Sequence, residues 1–127
     1  MATRRMLSSV ARNVACESAA AMNWNYPTSI RFGAGRVSEL SAACAELGVK
    51  KPLLVTDPGI LGVGTMVADA AASCGGCPVY SDVQGNPTEA NVMGGVAAFK
   101  EHECDGVIAF GGGSAMDAAK CVALMVG

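Results

Sequence analysis

Three glycines and a serine, Gly111-Gly112-Gly113-Ser114, stand between the most regular β-type run of the sequence, Val107-Ile108-Ala109-Phe110, and an apolar helical segment. A bend bared of side chains lets backbone N–H groups come close to a bulky anion. The start of a helix adds unpaired N–H donors and a partial positive charge. The chemistry this offers is a grip on a phosphate or diphosphate; the plainer use of the same residues is a tight strand-to-helix turn. Ser114 is placed to cap the helix, and Asp117 stands three residues on, so Ser-x-x-Asp has the form of a capping box with Asp in the Glu/Gln place. Asp57 follows a second apolar run, Leu53-Leu54-Val55. There a carboxylate could accept from ribose hydroxyls, favouring NAD over NADP by repelling a 2′-phosphate. Ahead of Pro58-Gly59 it is equally suited to an Asx-type turn. The third point is Asn86-Pro87-Thr88, a turn that opens a helix with Thr88 at the cap. The spacing is neither G-x-G-x-x-G followed by an acid nor a Walker loop, since the acid precedes the glycines and no Gly-Lys-Ser/Thr occurs.

Other reactive residues point to packing. Cys74-Gly75-Gly76-Cys77 has CxxC spacing, but a zinc ribbon needs a second such pair. A redox pair sits at a helix start, where the thiolate is stabilised, whereas this one falls where a helix ends. It reads as a glycine cap flanked by two packing cysteines. The six cysteines lie within apolar periodic segments, where cysteine behaves as a small hydrophobe. His102 is the single histidine, in the polar stretch Lys100-Glu101-His102-Glu103, and one imidazole cannot assemble a zinc or iron site.

The elements that must hold these residues alternate. Trp24 to Phe32 reads as an edge strand, with Pro27 tolerated there. After Gly33-Ala34-Gly35, a helical stripe of Val37, Leu40, Cys44 and Leu47 ends at Gly48. Leu53-Leu54-Val55 is a strand covered on both faces. Val63, Val67, Ala70 and Cys74 form a second stripe closed by Gly75-Gly76, followed by a brief strand at Pro78-Val79-Tyr80. A helix with Val92, Val96 and Phe99 on its apolar face leads to the strand 107–110. The last helix is expected to bury Ala118, Val122 and Met125. Such alternation predicts an α/β fold, Rossmann-like, with a mostly parallel sheet and helices on both faces. Ligands in such sheets bind beyond the carboxyl ends of the strands, where Asp57, Asn86–Thr88 and Gly111–Ser114 all fall.

Composition narrows the classes further. At 127 residues the chain is one domain's length; 51% hydrophobic and 16% charged residues exclude intrinsic disorder. Nine basic against eleven acidic residues leave no positive field for a nucleic acid. Every apolar run is broken before the roughly 18–20 residues that a membrane-spanning helix needs. Residues 1–21 differ, with Arg4, Arg5 and Arg12 against the lone acid Glu17. They match a mitochondrial-type transit peptide or an extension ahead of a second start at Met22, which leaves a mitochondrial or a cytoplasmic location open. Residues 22–127 then form the folded part.

The run Gly-Gly-Gly-Ser-Ala-Met-Asp-Ala-Ala-Lys (111–120) resembles the GGGS-x-x-D-x-A-K signature of the iron-containing, group III alcohol dehydrogenases. Leu54-Val55-Thr56-Asp57, Asn86-Pro87-Thr88 and Phe32-Gly33-Ala34-Gly35 are similar to that family's strand-end acid, NPT turn and early F-G-x-G turn, in the same order. The resemblance covers about residues 24–127. It implies the N-terminal dinucleotide-binding domain of a two-domain dehydrogenase that transfers hydride between an alcohol or aldehyde and NAD, with NADP open. It further implies that Gly111, Gly112, Gly113 and Ser114 hold the pyrophosphate and that Asp57 faces the adenosine ribose. Asn86 and Thr88 would lie toward the nicotinamide, and Asp117 and Lys120 match the signature without a separable role. A divalent metal, iron or zinc, would be bound in the family by an aspartate and three histidines of a following helical domain. With one histidine and an end at Gly127, the expectation is a truncated form, inactive alone, that exposes an apolar face and leaves a homo-oligomer open. A free-standing nucleotide-binding module is the alternative. A glycerol-dehydrogenase-like or dehydroquinate-synthase-like relative is another, although Ser114, Asp117 and Lys120 favour the alcohol dehydrogenase branch.

Overall fold

The computed structural model describes residues 22–25 and 28–127. The leader expected over residues 1–21, and Tyr26 and Pro27 within the expected first strand, lie outside the described residues. The chain divides between Arg36 and Val37 into two compact units, each described by itself. In the first, β1 (Met22–Asn25) pairs antiparallel with β2 (Ser29–Phe32), Met22 opposite Phe32 and Asn25 opposite Ser29. The stretch read as one edge strand is therefore two. Pro27, which has no N–H to give a ladder, falls between them in sequence.

The second unit is built on three parallel strands: β3 (Pro52–Val55), β4 (Val79–Tyr80) and β5 (Gly106–Ala109), in the order β4-β3-β5. A 3₁₀ turn (Arg36–Glu39) leads into α1 (Leu40–Glu46), ahead of β3. Next, α2 (Pro58–Leu61) and α3 (Met66–Ser73) connect β3 to β4, α4 (Glu89–Glu101) connects β4 to β5, and α5 (Gly113–Val126) follows β5. As the apolar run predicts, every residue of β3 is buried. Its side chains alternate between two cores. Leu53 and Val55 pack with Val96 of α4 and Ala118, Ala119 and Val122 of α5. Leu54 packs on the other face with Val67, Ala70 and Ala71 of α3, joined by Leu40, Ile60, Ile108 and Phe110. A strand sealed on both faces is what obliges helices to lie on both sides of the sheet.

Three helical stripes are phased differently from expectation. Val37 lies in the 3₁₀ turn, whose three-residue repeat takes it off the α-helical line, and Leu47 is the C-cap, 80% exposed; only Leu40 and Cys44 turn inward. Val63 falls in the turn between α2 and α3, where Gly64 has φ +58°, and is exposed. On α5 the buried line is Ala115, Ala118, Ala119 and Val122, continued by half-buried Val126. Met125, on the last turn and at the edge of the buried face, is exposed together with Met116 and Leu124.

The glycine stops are where the sequence puts them. Gly48 follows the end of α1, its N–H donating to Ala45 O and that of Val49 to Cys44 O, a Schellman closure. The same pair closes α3, from Gly75 N–H to Ala72 O and from Gly76 N–H to Ala71 O, with both glycines at φ +77°. Cys77 is then buried against α3, and burial, with Cys74 adding to it, pushes its thiol up to about 11. Burial raises the Cys104 thiol too. His102 is the exposed C-cap of α4, as its polar setting suggests.

At the opposite end of the sheet from the glycine bend, Asp105 ties the starts of β3 and β5. Its carboxylate accepts from the N–H of Lys51 (2.7 Å) and of Lys50 (2.9 Å), and its own N–H donates to Lys51 O. These backbone donors hold the carboxyl below its ordinary value of 3.8. A depressed carboxyl lends stability above its unfolded pKa and loses it as pH falls through the folded one. Asp105→Asn should therefore lower the urea midpoint at neutral pH, and the gap from the parent chain should narrow once pH drops below 3.8. A gap independent of pH would assign the effect to shape rather than charge. Among the described cysteines, alkylation at mildly alkaline pH should reach exposed Cys121 first and spare Cys77, read by peptide mass spectrometry.

Candidate functional site

The strand order creates an opening. From central β3 the chain steps out to β4, then returns past β3 to lay down β5 on its far side. The exit of β3 turns to the face of α2 and α3; the exit of β5 turns to the face of α4 and α5. Two neighbouring strands whose loops diverge leave a crevice at their carboxyl ends, the switch-point position where open α/β sheets bind ligands. Pairing persists up to that rim. Thr56 N–H donates to Tyr80 O (2.9 Å) and Phe110 N–H to Val55 O (2.8 Å), so three loops start at one level.

A cavity of about 420 Å³ occupies the crevice. Its walls are Asp57-Pro58-Gly59 after β3, Val83-Gln84-Gly85 after β4, and Gly112-Gly113-Ser114 after β5. Asp57 serves two sides. Its Oδ1 accepts from Ile60 N–H (3.1 Å), capping the short α2 with Pro58 in the first turn. Its Oδ2 faces the glycine bend, 3.0 Å from where a Cβ on Gly111 would stand. The turn role thus falls to Oδ1, and Oδ2 takes no part in it.

Gly111 is the position that needs glycine. At φ +147° it is outside the range of other residues, and its Cβ would meet both Asp57 and, at 3.1 Å, the Ala115 Cβ. The bend closes into α5 earlier than the Ser-x-x-Asp pattern suggests. Gly112 is the N-cap, in extended conformation with no side-chain cap, which puts Ser114 second in the helix and Asp117 fifth. Without a Cβ at Gly112 or Gly113, nothing holds the helix back until Ser114. Asp117 consequently lies exposed beside Lys120 (3.9 Å), not at the cap. Met116 N–H is the first to reach a helical acceptor, Gly112 O (3.1 Å), so the N–H groups of Gly113, Ser114 and Ala115 precede the ladder. Around Gly112 and Gly113 nothing would lie within 4 Å of an added Cβ. The donors stand beside open space.

The structure brings Asp57, Gly112, Gly113 and Ser114 together at the cavity, with Gly111 behind Asp57. Asn86, at φ +53°, follows Gly85 but does not line the cavity, and Thr88 is the N-cap of α4. Pro58, Gly59, Val83, Gln84 and Gly85 are lining residues that the sequence reading missed. The strand-end rule that singled out Asp57 applies equally to the residues after Tyr80, and would have found the last three. Among the described residues no three His, Cys, Asp or Glu side chains converge to hold a metal ion.

Comparison with known proteins bears on the family and the fold. The family model described as iron-containing alcohol dehydrogenase matches residues 27–127. The chain is 40% identical over 101 residues to 4-hydroxybutyrate dehydrogenase of Cupriavidus necator, covering 79% of itself and 26% of that protein. A crystal structure of sulfoacetaldehyde reductase from Bifidobacterium kashiwanohense in complex with NAD+ superposes with a TM-score of 0.68 at 30% identity, over 78% of this chain and 27% of that one. A crystal structure of 1,3-propanediol oxidoreductase gives 0.64 at 36% identity, over 70% and 24%. The chain thus spans about a quarter of the length of the curated relatives it matches. A parallel sheet with helices on both faces, the glycine bend opposite a strand-end acid, and a family match over residues 27–127 lead to one assignment: this chain belongs to the iron-containing alcohol dehydrogenase family.

Proposed function

We propose that the described residues form the dinucleotide-binding part of an enzyme that transfers hydride between a small alcohol or aldehyde and a nicotinamide cofactor. The observation that carries this reading is the shared cavity of Asp57 and Gly112–Ser114 between diverging loops. In it, the N–H groups at the start of α5 hold the diphosphate, where the helix dipole favours negative charge. The free Oδ2 of Asp57 takes the ribose hydroxyls and disfavours a 2′-phosphate, so NAD is the proposed cofactor. Gly111 keeps this carboxylate and the bend within reach of one ligand. Asn86, next to the Gly85 wall, belongs to the same proposal on the nicotinamide side. Thr88 and Asp117 contribute at one remove, Thr88 at the start of α4 and Asp117 as charge on the exposed side of α5. The family's divalent metal finds no ligand set among the described residues, and the part assigned to them is binding and orientation.

Gly113→Asp separates binding from folding. A carboxylate in the first turn of a helix is favourable, and there is open space for it, so the melting temperature should hold or rise. The same charge faces the diphosphate, and NADH binding, followed by calorimetry on the purified chain, should be lost. Retained affinity would remove the bend from the proposal. Asp57→Asn keeps a good N-cap on α2, since Asn and Asp cap equally well. It should weaken NADH about tenfold, the effect of losing one charge-assisted hydrogen bond, and narrow the preference over NADPH. An unchanged NADH/NADPH ratio would take the ribose contact away from Asp57.

A further inference from the structure

The wall Val83-Gln84-Gly85 stands on a loop whose two ends are gripped by one residue that never reaches the cavity. Asn91, the third residue of α4, is 6% exposed. Its Nδ2 donates to Asp82 O (2.9 Å), before the wall. Its Oδ1 accepts from Thr88 N–H (3.0 Å) and from the Thr88 hydroxyl (3.2 Å), after the wall. Beneath it, the Tyr80 hydroxyl lies 2.7 Å from Asn91 O and 3.1 Å from Asp82 O, its one proton shared between the two carbonyls. The Tyr80 ring gets that close to α4 because the helix carries Gly94 there, where a Cβ would meet the hydroxyl; a Cβ on Gly95 would instead press on Val122 of α5. Asparagine is a mediocre helix former and costly to bury, so this position is explained by what its amide holds.

We propose that Asn91, seated on Tyr80, is the positioning residue for the third wall of the cavity: it closes the loop from Asp82 to Thr88 and so sets the affinity for the dinucleotide without touching it. The inference rests on the cavity being the cofactor site. Loss of the grip leaves Asp57 and the glycine bend in place but frees the third wall, which binding must then order.

Asn91→Asp tests it on the full chain. The substitution keeps an acceptor for Thr88 and turns the donor to Asp82 O into a carboxylate oxygen that repels that carbonyl. The grip before the wall is thus released while the one after it stays. Tyr80→Phe, which adds no charge near the diphosphate, separates loss of the grip from charge repulsion. NADH is the probe, titrated by calorimetry well below the melting temperature, with amide hydrogen exchange of the Val83 region read alongside. The expected result is about tenfold weaker binding, the worth of one buried hydrogen bond, with faster exchange at Val83 and unchanged protection in β3. Tyr80→Phe, which keeps the ring and loses the hydroxyl, should shift both readouts in the same direction and stands in if Asn91→Asp fails to fold. A role confined to stability would lower the melting temperature and leave the dissociation constant of the folded protein as it was; that result overturns the proposal. Failure of the parent chain to bind NADH would instead overturn the cofactor site, and this inference with it.

Discussion

A carboxylate oxygen and a backbone bend can sit side by side at the rim of this sheet only where no side chain intervenes, and Gly111 is the residue that leaves the space. Its φ of +147° and the 3.0 Å between its would-be Cβ and Asp57 Oδ2 make two separate demands for glycine. An alanine there would be strained in backbone and would press on both Asp57 and Ala115. The acid that follows β3 and the donors that start α5 come after strands whose facing residues, such as Pro52 and Gly106, are far apart in sequence, and their closeness depends on this approach. The parallel pairing of β3 with β5 supplies the proximity; the missing side chain makes it usable.

Much of that arrangement is readable from the residues. The β3 run is apolar throughout because both faces are sealed, so its pattern is continuous rather than alternating. Gly48 and the Gly75-Gly76 pair mark helix ends since each takes a positive φ that other side chains resist. What escapes the sequence is phase. Val37 and Met125 are apolar and near the correct spacing, yet a 3₁₀ turn in one case and a place on the last turn of α5, at the edge of its buried face, in the other leave them at the surface. Ser114 is a better cap than glycine by composition, but Gly112 already satisfies the geometry and the helix begins before Ser114 is reached. The hairpin of β1 and β2 was hidden because strand pairing is a relation between segments, and one Pro between two short β-type runs marks a break without saying that the runs turn back on each other.

The cysteines make a parallel point about motifs. CxxC spacing would bring two thiols into one turn, yet reactivity requires a positive helix end or a nearby cation to stabilise thiolate. Here Cys77 follows the carboxyl end of α3 and is buried, so its thiol is pushed away from reactivity rather than toward it. Local spacing is shared by both outcomes; the direction of the neighbouring helix separates them. The same argument in reverse supports the glycine bend, where the helix starts at the motif and its dipole is directed favourably for an anion.

Each wall of the cavity is fixed by an interaction on its far side. Asp57 is held by the N–H of Ile60, leaving its second oxygen free. The start of α5 is anchored by Ala115, fully buried one residue after Ser114. The wall after β4 is held by Asn91, which itself lies on Tyr80. Groups that meet a ligand are thereby spared from holding the structure, and their hydrogen-bonding capacity remains available. Order already present in three loops is order that binding does not have to create, and the ordering cost of each mobile segment is what most weakens loop-built sites. The buried asparagine is the costliest of these supports, since its amide must remain fully paired to be tolerated. It stands behind the wall that follows the shortest strand: β4 has two residues, and strand pairing alone reaches no further than Tyr80.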